Sequence, residues 1–295
     1  MDIKKTFQES LLAQAAYSSL GDGISGRELV DELLKNDDMT KSQAELVASL
    51  YKVIAQDEQA ISGFSATLFQ NIKSGEYHLA MRGSQSPFTE PVDWYDANLN
   101  NGIYGIAFNQ VADMLNFYIK LTNTGVVPQY RFTSVSGLEE GQQGVQIKFE
   151  KDGRYLVLVA DEDALGLGVN GLDGQTDFLV SGHSLGGHLA SVFTLLFPLV
   201  VSDTSTFDSG GIIGESLEEF LDVMASKVND DGFLWLNPTY EPLNNVDDIR
   251  APMDPVSLID SESHLSGDIK DVFIESITPV ASHSLDALVD SLAVM

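Results

Sequence analysis

Over the first sixty residues, apolar side chains recur at helical spacing. They cover residues 7–19 and again 27–57, with Leu29, Leu33 and Leu34, then Leu46, Val47, Leu50, Val53 and Ile54. An apolar residue every third or fourth position lines one face of a helix, so both stretches are predicted helical. The pattern then changes. Gly63 to Phe69 reads as a strand, Lys73-Ser74-Gly75-Glu76 as a turn, and Tyr77 to Met81 as the return strand of a hairpin. Residues 85–102 are polar and aromatic with prolines, and read as a loop.

Helical spacing returns over 105–121 through Ile106, Met114, Phe117 and Leu121, with Gln110 as the polar exception. The stretch 130–175 is mixed. Gln146 to Phe149 and Tyr155 to Val159 read as short strands joined by Lys151-Asp152-Gly153. The glycine-rich run Gly166 to Gly174 resembles a calcium repeat but occurs once. Such repeats need stacking neighbours, so it is read as a turn-rich loop. Phe178 to Ser181 is a short apolar strand, and small and apolar residues from Leu185 to Phe197 predict a helix. Thr204 to Phe207 reads as a strand, followed by helical pieces and turns to 245. A strand within 245–259 ends near Pro255-Val256, and a last helix covers about 283–293. Strands alternating with helices predict an α/β fold with a mainly parallel central sheet flanked by helices and carrying insertions. The length suits one such domain over 1–295, with a helical segment over 1–60 and a core from about 61.

The chemistry enters at Gly182-His183-Ser184-Leu185-Gly186, a G-x-S-x-G run. It stands between an apolar strand and a helix, the context in which a serine can sit on a sharp elbow. Side chains two residues either side of the serine would collide there, and the two glycines remove them. Ser184 then projects above the sheet as a nucleophile. The Leu185 amide, in the first turn of the helix, points at a developing oxyanion, and the helix dipole adds to it.

The longer run Gly182 to Ala190 resembles lipases of the class 3 group of the α/β-hydrolase superfamily, which includes fungal triacylglycerol lipases. It also resembles bacterial exported lipases that carry calcium-binding repeats, although no repeat tail is present here. Leu79 to Ser84 resembles the strand of that group ending in Arg-Gly-Ser, which implies a second oxyanion contact from Ser84. Met253-Asp254-Pro255-Val256 resembles its Asp-Pro-Val segment and implies Asp254 as the catalytic acid. Ser282-His283-Ser284-Leu285 resembles the late segment that carries the catalytic histidine. The resemblance covers about residues 63–290 through short motifs; 128–175 and 212–243 match nothing in it. The resemblance implies that residues 85–104 lead into a lid, where Phe88, Trp94, Tyr95 and Tyr104 either line an acyl site or pack onto the body. Calcium is implied by analogy only, and the acyl-transfer chemistry requires no cofactor.

The expected chain order is Ser, then acid, then base. Of five histidines, His78 lies in a strand before the nucleophile, and His183 and His188 flank Ser184 too closely to reach back to its hydroxyl. His283 and His264 remain. His283, in a serine-flanked segment before the terminal helix, is preferred. For the acid, Asp254 at a proline-stiffened turn is preferred. Asp208, after the strand that follows the nucleophile helix, competes with it, and Asp247, Asp248 and Asp260 follow. The expected activity is a triacylglycerol lipase, with phospholipase A1 or a short-chain carboxylesterase as alternatives. A non-catalytic binding domain on a hydrolase fold is the remote one.

Composition narrows the partners. Forty-four acidic residues against 16 basic ones give a formal charge of −28. That field repels nucleic acid and disfavours anionic lipid surfaces. The expected partner is a lipid or other ester, met transiently at an interface. Cysteine is absent, so disulfides and thiolate chemistry are excluded. No stretch is long and apolar enough to span a membrane. The first residues contain no apolar signal core, so the expectation is export without a cleavable signal, with a cytoplasmic location left open.

Overall fold

The computed structural model describes residues 2–35, 39–59, 61–83, 107–146, 154–170, 172, 177–210, 217–240, 243–251, 268–272 and 284–295. In chain order, helices α1 (Ile3–Ala15), α2 (Gly26–Leu33) and α3 (Lys41–Leu50) lead into strands β1 (Tyr51–Glu58), β2 (Ser65–Asn71) and β3 (Tyr77–Met81). Next come α4 (Phe108–Thr122), β4 (Thr124–Val135), β5 (Val145–Gln146) and β6 (Tyr155–Leu167). The remainder is β7 (Phe178–His183), α5 (Leu185–Leu196), β8 (Val201–Phe207), α6 (Leu217–Asp231), β9 (Val246–Arg250), β10 (Asp268–Asp271) and α7 (Leu285–Val294).

The central sheet has the order β1-β2-β3-β7-β8-β9-β10. β1, β2 and β3 form an antiparallel meander, and β3, β7, β8, β9 and β10 run parallel. The carboxyl ends of these five strands therefore share one edge, where open α/β sheets collect their chemistry. This is the mainly parallel, helix-flanked α/β arrangement that the sequence predicts.

Two apolar layers cover the sheet. One gathers Leu11, Leu12, Leu29, Val47, Leu288 and Val289 from the N-terminal helices and α7. The other gathers α4, α5 and α6 around Leu115, Tyr118, Phe193 and Phe220. Every residue of α5 is buried, which is why its sequence is apolar all round. Among the described residues, no helix is long and apolar enough to cross a membrane.

The structure redraws several predicted elements. Helical spacing over 27–57 hides three elements, because Val53 and Ile54 belong to β1. There burial alternates along the strand, with Val53 and Ala55 inward. α1 starts earlier than predicted, at Ile3, because the Asp2 side chain accepts the Lys5 amide at 3.2 Å and caps the helix. The polar exception in α4 is buried and satisfied, since Gln110 Nε2 donates to the Ser62 carbonyl at 2.8 Å. The mixed region holds a second sheet of order β4-β6-β5, whose long strands β4 and β6 pair antiparallel. Gly166 and Leu167, read as part of a loop, close β6 opposite Thr124 and Gly125. The side chain of Asn116 on α4 fastens this sheet to the body. It accepts the Tyr130 amide at 2.6 Å and donates to the Tyr130 carbonyl at 2.8 Å. The predicted loop over 85–102 lies outside the described residues.

Candidate active site

β7 delivers the chain to Ser184, and α5 begins one residue later. Ser184 has φ 55 and ψ −122, a backbone conformation that an L-residue adopts only at a cost. Three carbonyl bonds hold the turn. The Ser184 amide donates to Phe207 O at 2.9 Å, and Ser184 O accepts from the Gly187 and His188 amides at 3.0 and 3.2 Å. A Cβ on Gly182 would overlap the Gly186 carbonyl, and one on Gly186 would overlap the carbonyl of Met81 at the end of β3. The elbow thus closes only because both positions lack side chains. A Cβ on Gly187 would lie 2.8 Å from the Ser209 Cβ, so α5 also packs directly on the segment after β8.

Leu185 is the first residue of α5, so its amide has no partner within the helix. No acidic residue occupies the first turn of α5, and the positive end of the helix faces the serine. Leu185, Met81 and Phe207 are buried around the turn, which lowers the local dielectric and strengthens a developing charge's interaction with these dipoles.

The remaining predicted positions divide clearly. Ser84, Asp254, His283, His264 and Asp260 lie outside the described residues. The described strand β3 ends at Met81, followed by Arg82 and Gly83; β9 ends at Arg250, before Asp254; β10 ends at Asp271, before His283. Asp208 follows β8, is fully buried, and has φ 45. Its Oδ1 accepts the Ala251 amide at 2.7 Å. Asp248 is buried in β9, accepting from Thr206 Oγ1 at 2.8 Å and pairing with Arg250 at 2.5 Å. Asp247 pairs with Lys270 of β10. These two carboxylates have structural partners within the sheet.

The three early histidines each have a placed role. His78 is buried on β3 with Nε2 2.8 Å from Ser181 Oγ, and burial holds it neutral by pushing its pKa down to about 3. His188 is buried on α5, and its Nε2 accepts the Ala107 amide at 3.3 Å, just before α4. His183, adjacent to Ser184, has Nδ1 2.8 Å from the hydroxyl of Tyr17. Tyr17 and Arg82 are the residues that sequence reasoning missed. Arg82 is buried behind the end of β3, donating to the Gly63 carbonyl at 3.2 Å and facing Glu58 at 3.7 Å. The Leu-Ala-Met-Arg-Gly run points to Arg82, but no pattern marks Tyr17. Among the described residues, no three His, Asp or Glu side chains group to hold a metal ion.

No family model matches the chain. No curated protein matches it either. Fifteen chains of solved structures do. The nonglycosylated Lip2 lipase of Yarrowia lipolytica aligns at 14% identity over 92% of this chain and 79% of that one, with a TM-score of 0.41. The Rhizomucor miehei lipase, solved as its propeptide complex, aligns at 11% identity over 94% and 70%, with a TM-score of 0.40. Lipase II from Rhizopus niveus aligns at 14% identity over 93% and 81%, with a TM-score of 0.40. At this level of likeness no chemistry transfers, and the elbow's own geometry carries the functional reading.

Proposed function

We propose that the chain is a serine ester hydrolase, a triacylglycerol lipase that works through an acyl-enzyme on Ser184. The observation that carries this reading is the elbow. Ser184 stands at φ 55 between a parallel strand and a buried helix, in a turn that closes only because Gly182 and Gly186 carry no side chain. Such strain persists where function requires the geometry.

His283 takes the proton from Ser184 as its oxygen attacks the ester carbonyl. The Leu185 amide and Ser84 donate to the oxyanion, the alcohol leaves with the proton from His283, and water hydrolyses the acyl-enzyme. Asp254 holds the tautomer of His283 and stabilises the imidazolium. The formal charge of −28 favours a neutral ester over an anionic phospholipid surface. The same reading makes the protein a secreted enzyme that meets its lipid transiently; calcium enters by analogy alone, with no catalytic step assigned to it.

Hydrolysis of short- and long-chain p-nitrophenyl esters, a triacylglycerol emulsion and a phospholipid, by wild type and Ser184→Ala, tests the proposal. The expected result is turnover of neutral esters, lost by more than about 10³-fold in Ser184→Ala with the far-UV dichroism unchanged. Activity in Ser184→Ala within tenfold of wild type removes the assignment.

A further inference from the structure

Tyr17 stands in the turn that ends α1, far from Ser184 in sequence, yet its hydroxyl lies at the elbow. It is 2.8 Å from His183 Nδ1. The same oxygen lies 2.6 Å from where a Cβ on Gly83 would be, and that Cβ would also stand 3.1 Å from Ser184 Cβ and overlap the His183 carbonyl. Three chain segments therefore converge within van der Waals distance: the end of α1, the end of β3 and the elbow after β7. His183 is buried and its ring tilts against that of Tyr17, with centroids 6.0 Å apart.

We infer that Tyr17 is a positioning residue for the nucleophile, acting through His183 and Gly83. This rests on the reading of Ser184 given above. The elbow is a strained turn, and strain relaxes unless its neighbours over-determine it. The glycines prevent collision but restrain nothing. The hydroxyl–imidazole bond supplies a restraint by tying His183, the residue before Ser184, to the helix layer. Its contact with Gly83 sets the end of β3 against the elbow, which restrains Ser184 relative to Gly83. In acyl transfer a small displacement of the nucleophile relative to its oxyanion donors costs rate rather than substrate binding.

The test is steady-state hydrolysis of a p-nitrophenyl ester, with kcat expressed per site titrated by a fluorophosphonate, beside thermal unfolding. Tyr17→Phe removes only the hydroxyl. It is expected to lower kcat per titrated site roughly tenfold with KM within about twofold. His183→Leu removes the ring nitrogen and is expected to lose a similar factor. His183→Asn places an acceptor and a donor near the Nδ1 position and is expected to recover at least about threefold over His183→Leu. Tyr17→Phe combined with His183→Leu is expected to be no worse than either alone, because both break one contact. The two His183 variants decide the matter if Tyr17→Phe fails to fold. Unchanged kcat per titrated site, with only the melting temperature lowered, makes Tyr17 a structural residue and overturns the inference while leaving Ser184 in place. A wild type that neither hydrolyses esters nor labels at Ser184 overturns the hydrolase reading and this inference together.

Discussion

The amide of Ser184 donates to the carbonyl of Phe207 across 2.9 Å. That bond ties the elbow to β8 and brings Asp208, the next residue, beside it. Asp208 looks like an acid by position, but its Oδ1 accepts from Ala251 at 2.7 Å and fastens the end of β8 to the end of β9. Asp208→Asn is therefore expected to keep kcat within about threefold and to lose about 1–2 kcal/mol of stability as a charge-assisted bond becomes a neutral one. Asp254→Asn is expected to lower kcat by about 10³–10⁴ with little change in stability. Measuring kcat and thermal unfolding on both variants separates the roles. A larger rate loss in Asp208→Asn moves the acid to the end of β8.

The elbow makes opposite predictions at adjacent positions. Ser184→Gly relieves a positive φ that only glycine adopts freely, and is expected to raise stability by about 1–3 kcal/mol while abolishing turnover. Gly182→Ala and Gly186→Ala force a methyl into a carbonyl and are expected to destabilise by more than about 3 kcal/mol. Chemical denaturation of the three variants checks the signs. A destabilised Ser184→Gly shows that the turn is not strained.

Glu9 on α1 is buried against β8. Burial raises its pKa to about 7, partly offset by the hydroxyl of Ser205 at 2.7 Å and by Lys5 at 3.7 Å. The sign follows from proton counting. Between the ordinary value of 4.5 and about 7 the native state holds a proton that the unfolded chain has released, so this group's contribution falls as pH rises through that window. Glu9→Gln keeps an acceptor for Ser205 and cannot ionise. Its melting temperature is expected to exceed that of wild type by about 5 °C at pH 8, with the difference vanishing near pH 4.5. An equal gap at both pH values assigns the effect to packing instead.

What the sequence reveals follows from the range of each interaction. The strand–elbow–helix unit is legible because its sequence signal lies between Phe178 and Phe197, and fully buried parallel elements are largely apolar. β1 was missed because Val53 and Ile54 continue the spacing of α3, and only pairing with β2 makes them a strand. β4 was missed because Gly125 and Pro128 break its propensity, while its partner β6 lies about thirty residues on. Tyr17 was invisible for the same reason, since its partners His183 and Gly83 come from distant parts of the chain. The polar contacts of Asp208 and Asp248 likewise require the sheet, so their identity as fasteners cannot be read from two acidic letters.

His188 supplies a last prediction. The amide of Ala107 opens α4, and no side chain of α4's own N-terminus caps it. The acceptor comes instead from α5, through His188 Nε2 at 3.3 Å. The helix that follows the Ser184 elbow therefore also anchors the start of α4. For Nε2 to accept, the imidazole must be neutral with its proton on Nδ1. His188→Ala leaves the buried Ala107 amide without this acceptor and opens a cavity, and is expected to cost about 2–4 kcal/mol. His188→Gln carries an oxygen close to the Nε2 position and is expected to recover at least half of that loss. Denaturant unfolding of both variants distinguishes bond from volume. Should His188→Gln prove no more stable than His188→Ala, packing of the ring, and not its bond to Ala107, holds α4 against α5.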